Sequence, residues 1–200
     1  MPARGLVFDL YGTLVTKGQG WLAYRKLINN LPLWKWRAAR HAALTEPLPT
    51  VTALYERFQP RRGPEADHFE RLVAEGIAEV ALFDETIAVL ERARAEGLRL
   101  ALLSNLASPY KQPVFDLGLD RHFDTLVFSC DVGMAKPNPA IFALASEQLG
   151  IPAAELVMIG DSRRDDIRGA KHARMPSLHI DRSGQRGDIR RLDELFERLQ

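Results

Sequence analysis

Short apolar runs and longer amphipathic stretches alternate along this chain. Leu6-Val7-Phe8 is a continuous apolar run, the pattern of a strand buried on both faces, and a strand is predicted over 5–9. Similar runs recur at 98–103, 123–128, 156–159 and 177–180. Between and after them apolar residues return at helical spacing. Helices are predicted over 84–96 (with Gly97 as the C-cap), over 109–117, over 139–149 (stopped at Gly150) and over 165–173. A final helix is predicted over 188–199, with Ile189, Leu192, Leu195 and Phe196 inward. Strand–helix alternation of this kind predicts an α/β fold with a mostly parallel sheet covered on both faces.

Residues 16–80 break the alternation, and strand-like runs vanish there. Trp21, Tyr24, Leu27 and Ile28 mark one helix. Pro32 permits a fresh start, with Leu33, Trp36 and Ala39 or Arg40 on one face. Pro47 and Pro49 punctuate again before a stripe of Val51, Leu54, Tyr55 and Phe58. Pro60–Pro64 reads as a loop, and residues 65–80 as a helix with Phe69, Leu72, Val73 and Ile77 inward. Trp34 and Trp36 point in different directions on a helix, so at least one is a candidate for exposure or substrate contact.

Composition narrows the class. Apolar residues at 46% and charged residues at 26% are ordinary globular values. A net charge of +1 gives no strong field for nucleic acid or a membrane surface. No apolar run approaches the ~20 residues of a membrane span. The N-terminal run is short and interrupted by Asp9, so it reads as a strand rather than a signal peptide. The one cysteine, Cys130, excludes an intramolecular disulfide and is expected to pack; the expected location is the cytoplasm. One charge asymmetry stands out. Lys17, Arg25, Lys26, Lys35, Arg37 and Arg40 occur with no Asp or Glu from 17 to 45. Such a run is either a solvated helix face or a field attracting a small anionic substrate.

Several polar residues sit where apolar runs end. Asp9 closes the first run, with Gly12 and Thr13 close behind; Ser104-Asn105 closes the second. Lys136 precedes a proline, Gly160-Asp161 closes the fourth run, and Asp165-Asp166 follow. In open α/β sheets ligands bind beyond the carboxyl ends of the strands. Each of these residues could equally cap a turn or sit on a solvated surface when taken alone.

Together they resemble the four motifs of the haloacid-dehalogenase superfamily of hydrolases. Asp9-Leu-Tyr-Gly-Thr13 resembles the first motif, Leu100–Asn105 the second, Lys136 the third, and 157–170 with Gly160-Asp161-Ser162 and Asp166 the fourth. The resemblance implies a Rossmannoid core at 1–15 and 81–200, with a small helical cap at 16–80 that closes over the site. It implies Asp9 as nucleophile, Ser104 and Lys136 as catalytic partners, and Tyr11, Thr13 and Asn105 as substrate contacts. It also implies Mg²⁺ held by Asp9, the Tyr11 carbonyl and Asp161, with Asp166 as a further acid and Asp165 as its neighbouring competitor. One position departs from the phosphatase pattern: Tyr11 stands where those members carry the acid/base carboxylate. The Asp-x-Tyr-Gly-Thr form is similar to that of 2-haloacid dehalogenases, whereas Asp161 belongs to the metal-dependent phosphatase pattern. The implied functions are therefore a Mg²⁺-dependent small-metabolite phosphatase, a 2-haloacid dehalogenase, or a phosphate-binding protein without catalysis.

Overall fold

The computed structural model describes residues 3–18, 23–58 and 65–199, the side chains of 65 and 66 excepted. Its strands are β1 (Gly5–Phe8), β2 (Arg99–Ser104), β3 (Thr125–Phe128), β4 (Leu156–Gly160) and β5 (Ser177–His179). All pair in parallel, in the order β3-β2-β1-β4-β5. The uninterrupted apolar runs follow from two-sided burial. Leu6, Phe8, Leu100, Leu102 and Ile159 enter one apolar layer, and Val7, Ala101, Leu103 and Met158 enter the other.

Helix α5 (Thr86–Ala95) and the chain's end pack on the first layer; α8 (Pro139–Leu149) and α9 (Gly169–His172) pack on the second. Between them in sequence lie α6 (Gln112–Asp116) and α7 (Ser129–Val132). Cys130 on α7 is fully buried, and burial pushes its thiol up, the signature of a packing cysteine.

Among the described residues, four helices separate β1 from α5: α1 (Ala23–Asn29), α2 (Trp36–Thr45), α3 (Val51–Phe58) and α4 (Glu65–Ala78). The chain leaves the sheet at 14–16 and returns at 81–83, and these two passages pair with each other. Thr16 N donates to Ala81 O at 2.8 Å, and Phe83 N to Leu14 O at 3.2 Å. The helices seat on the core through α2 against α7 and through Tyr24, whose ring meets that of Tyr110 tilted at a centroid distance of 5.6 Å. Among the described residues no helix is long and apolar enough to cross a membrane.

Three local expectations need correction. Leu33 is 73% exposed rather than inward. A 3-10 turn over Leu33–Lys35 precedes α2, and the stripe that packs is Ala39, Ala42 and Ala43. Trp34 is 80% exposed, while Trp36 Nε1 donates to Leu31 O. The predicted helix over 188–199 is cut to a 3-10 turn at Leu192–Glu194 and α10 (Leu195–Arg198). Asp188 exchanges hydrogen bonds with His179 and Ile189 bridges Ile180, which hold this passage extended beside β5. The expected helix at 165–173 begins earlier, as a π-helical stretch Arg163–Arg168 running into α9. Trp21 and the Pro60–Pro64 loop lie outside the described residues.

Candidate active site

Strand register brings the site together. Phe8 lies between Leu102 and Ile159 in the sheet, so the next residues, Asp9, Leu103-Ser104 and Gly160-Asp161, emerge side by side at the carboxyl edge. The Asp9 N–H donates to Ile159 O at 2.9 Å, which fixes where the side chain leaves the sheet. Ser104 Oγ donates to Asp9 Oδ1 at 3.3 Å.

Lys136 is the centre of charge. Its Nζ donates to Asp9 Oδ1 at 2.7 Å and to Leu103 O at 2.7 Å, and lies 2.7 Å from Asp166 Oδ1. The third contact is a buried ion pair. Burial opposes charge on Lys136, but the carboxylates of Asp166 and Asp9 outweigh it and raise the ammonium above the ordinary lysine range. Burial likewise raises the Asp166 carboxyl, with Lys136 pulling the other way. Asn105 is spent on placing this lysine. Its Nδ2 donates to Lys136 O and its Oδ1 accepts from Lys136 N, both at 2.8 Å. Both ends of the Asn105 amide thus bond the Lys136 main chain.

Asp166, rather than Asp165, enters the site. Its Oδ2 accepts the Ser162 N–H at 2.9 Å. The half-buried Asp165 lies beside exposed Arg164, outside the cluster. Gly160 is required for this arrangement, since a Cβ there would lie 2.3 Å from the Asp166 carboxyl. Asp161 completes an acidic trio: Asp9, Asp161 and Asp166 offer carboxylate oxygens within 4.8 Å of one another. Burial, followed by the nearby Asp9 charge, raises the Asp161 carboxyl. Lys17 Nζ lies 2.5 Å from Asp161 Oδ2. Its chain crosses Gly12, whose φ of +84° and missing Cβ make room for both side chains.

These donors suit a hard divalent cation. They are oxygens, and three carboxylates face two ammonium groups, leaving one negative charge in excess. Beside Asp161 is a cavity of about 340 Å³ lined by Gly12, Lys17, Phe83, His179 and Arg182 among others. A larger surface cavity, between α8 and Arg174, shares no residue with the acidic trio.

Tyr11 is not placed as an acid/base. Its hydroxyl donates to Tyr110 O at 2.9 Å and its side chain is buried. Burial, then the neighbouring Tyr110 and Asp9, push the phenol above its usual range. We expect Tyr11→Phe to keep aryl phosphate turnover within about threefold while costing about 1 kcal/mol of stability, the loss of one hydrogen bond. A large fall in kcat with unchanged KM would make Tyr11 the proton donor instead. Thr13 is fully buried, its hydroxyl without a hydrogen-bond partner among the described residues.

Sequence reasoning missed Lys17 as a contact of Asp161, and missed His179, Arg182 and Glu85. His179 Nε2 lies 3.1 Å from Asp161 O. Glu85 is 7% exposed and takes Arg182 Nη1 at 2.9 Å and Leu192 N at 3.2 Å. Nothing local flags it: Asp84 stands beside it, so it reads as one of two acids near the start of a helix. Burial works against the Glu85 anion, but its hydrogen bonds, including those from Arg182 and Leu192, and the Arg182 charge prevail and lower its pKa. A lowered carboxyl stabilises the fold above its unfolded value, about 4.3, and the gain is lost as pH falls through the folded value. Glu85→Gln should therefore cost about 1–3 kcal/mol at pH 7, with the gap to wild type closing at the acid end. Urea unfolding at both ends of that range checks it; a gap independent of pH would contradict it.

Comparisons agree with this architecture. A family model of haloacid dehalogenase-like hydrolases matches residues 3–174. A phosphoserine phosphatase of Thermus thermophilus is 36% identical over 102 residues, 50% of this chain and 41% of that protein. A phosphoglycolate phosphatase of Yersinia pestis is 29% identical over 197 residues, 88% of this chain and 80% of that protein. The chain thus spans about two fifths of the first relative's length and four fifths of the second's. Among solved structures, a phosphatase of Thermococcus onnurineus superposes with a TM-score of 0.71 at 26% identity, covering 98% of this chain and 97% of its own. A 2-haloacid dehalogenase of Pseudomonas syringae gives 0.67 at 25% identity, with the same coverage. With the family model spanning all five strand ends but the last, and the Asp9–Lys136–Asp166 cluster at the carboxyl edge, the chain belongs to the haloacid dehalogenase-like hydrolases.

Proposed function

We propose that this protein is a Mg²⁺-dependent phosphatase of a small phosphorylated metabolite. The observation that carries the reading is the acidic trio gathered around a buried lysine. Two carboxylates beyond the nucleophile are more anion than a metal-free anion-binding site needs, and they suit a site that also takes a cation. The phosphatase names of the relatives support the same reading.

The Asp9 carboxylate attacks phosphorus, and the bond from phosphorus to the ester oxygen breaks. The phosphoryl group is left on Asp9 as an acyl phosphate. The leaving alkoxide takes a proton from water. A second water then attacks phosphorus, releasing inorganic phosphate and restoring the carboxylate. Lys136 and the Ser104 hydroxyl face the oxygen that reacts and offset charge on the transferring group. Asp166 and Asn105 hold Lys136 from either side. A divalent cation bound by Asp9, Asp161 and the Tyr11 carbonyl, with Asp166 behind them, would supply further charge neutralisation on the phosphoryl oxygens. With Tyr11 committed to Tyr110, no side chain among the described residues stands in for the missing acid, so esters with good leaving groups should turn over best; an absent acid/base costs ~10²–10⁴-fold. Residues 16–80 serve as the cap that excludes water, and their basic run favours anionic substrates.

A second reading, halide displacement from carbon by Asp9 without metal, is favoured by the Lys17 ammonium seated on Asp161 and by Tyr11 in the first motif. The deciding assay is release of phosphate from an aryl phosphate with and without Mg²⁺, beside release of halide from chloroacetate. Halide release without phosphate release would replace the phosphatase reading.

A further inference from the structure

We propose that Arg182 is a positioning residue for this active site: it holds the turn that follows Asp9 in the shape that presents the Tyr11 carbonyl to a metal. Arg182 lies just beyond β5, far along the chain from that turn, yet two of its three guanidinium nitrogens donate to it. Nε donates to Gly12 O at 3.3 Å and Nη2 to Thr13 O at 2.5 Å. Nη1 donates to Glu85 Oε1 at 2.9 Å, and the guanidinium carbon lies 3.3 Å from the centroid of the Phe83 ring.

Each contact restrains a different freedom. The planar fork fixes two consecutive carbonyls at once, which an ammonium on a flexible stem cannot do. Phe83 below the plane sets its tilt, and Phe83 is itself tied to the same passage through Leu14 O. Glu85 is buried and anchored by Leu192 N, so the guanidinium is held from behind. The turn from 10 to 15 has its own hydrogen bonds, but Gly12 in its middle has positive φ and carries no side chain to lock it. Arg182 supplies the missing lock from outside the segment. Tyr11, immediately before the clamped pair, contributes its carbonyl to the metal under the reading above. A displacement of about 1 Å at a reacting centre costs ~10²-fold.

The inference rests on that reading for the metal and for the kinetic readout. Removing the guanidinium by itself would take from the buried Glu85 carboxylate its nearer cation, leaving Arg191 at 3.5 Å, so the test uses the double variant Arg182→Met/Glu85→Gln, with Arg182→Lys and Glu85→Gln beside it. Circular dichroism selects folded samples, Mn²⁺ affinity is read from the free-ion EPR signal, and kcat and KM are read on an aryl phosphate. The expected result for the double variant is Mn²⁺ binding about tenfold weaker and kcat about 10²-fold lower, with KM within about threefold. Glu85→Gln alone should retain most of both, and Arg182→Lys should recover only part. Unchanged Mn²⁺ affinity and kcat in the folded double variant would overturn the inference and leave Arg182 as a structural strap. If the wild type binds Mn²⁺ but releases no phosphate, the phosphatase reading fails, and the Mn²⁺ affinities alone decide on Arg182. A wild type that binds no Mn²⁺ overturns the positioning role as stated.

Discussion

Asp9→Asn should fold and lose at least about 10³-fold of Mg²⁺-stimulated aryl phosphate turnover, because the attacking oxygen becomes an amide that cannot carry the phosphoryl group. The substitution is nearly isosteric. Lys136 keeps its contacts with Leu103 O and Asp166, and Asp161 loses a like-charged neighbour. Stability should therefore stay within about 1 kcal/mol of wild type, which separates a chemical loss from an unfolded sample. Phosphate release measured at saturating substrate, with a urea melt on the same preparation, reads both quantities. Turnover kept within a few-fold would remove Asp9 as nucleophile. It would also reopen the possibility that the acidic trio binds a ligand without acting on it.

Lys136→Met should have the largest combined effect. It strands the carboxylates of Asp9 and Asp166 in the interior without their cation, and breaking a buried pair in this way costs about 3–5 kcal/mol. In a chain of this size that corresponds to a fall in Tm of roughly 10 °C. Activity should fall by at least about 10²-fold, since the charge facing the transferring group is gone. Adding Asp166→Asn should restore much of the stability and none of the activity, which distinguishes the structural role of the pair from the chemical one. The pH dependence has a definite sign. The folded ammonium is raised above the unfolded lysine value of about 10.4, so its contribution is fully present below that value and is lost only as pH rises through the folded one. The lysine's own titration thus leaves the gap between wild type and Lys136→Met unchanged below that value, but the Asp166 carboxyl, raised to about 7 by burial, makes the gap narrow as pH falls through neutrality and the stranded carboxylates take up protons. A Lys136→Met protein that melts with the wild type would contradict the buried geometry.

The sequence made the sheet legible because a strand buried on both faces leaves little choice of residue. Leu6–Phe8, Leu100–Leu103 and Leu156–Ile159 fill the two apolar layers in turn. It was less reliable at the edges of helices. The 188–199 stretch has helical apolar spacing, and its apolar residues are buried, but backbone pairing with His179 and Ile180 kept its first half extended. Leu33 was misread because Pro32 opens a 3-10 turn whose side chains do not continue the stripe of the helix that follows. Local propensity decides such boundaries only where no tertiary hydrogen bond competes.

Asp9, Ser104 and Asp161 were visible as polar residues placed where apolar runs stop, a pattern that burial alone does not produce, whereas Lys136, in a loop before a proline, was visible only through its resemblance to the third motif. Their grouping follows from parallel register, which aligns the ends of β1, β2 and β4 at one edge. What the tertiary structure decided was how each is used. Asn105 serves Lys136, Tyr11 is turned to Tyr110, and Asp166 rather than Asp165 faces the lysine. The basic run marked Lys17 but not its pairing with Asp161, and nothing local marked Glu85 or Arg182, since a charged side chain in a sequence is by default a solvated one. Their partners lie across the fold, and only packing brings an arginine beyond β5 against the carbonyls beside the nucleophile. Patterns repeated along the chain determine layers and strand ends, because side-chain periodicity is a local property; the direction in which a polar group points is set by donors and acceptors that are neighbours only in three dimensions.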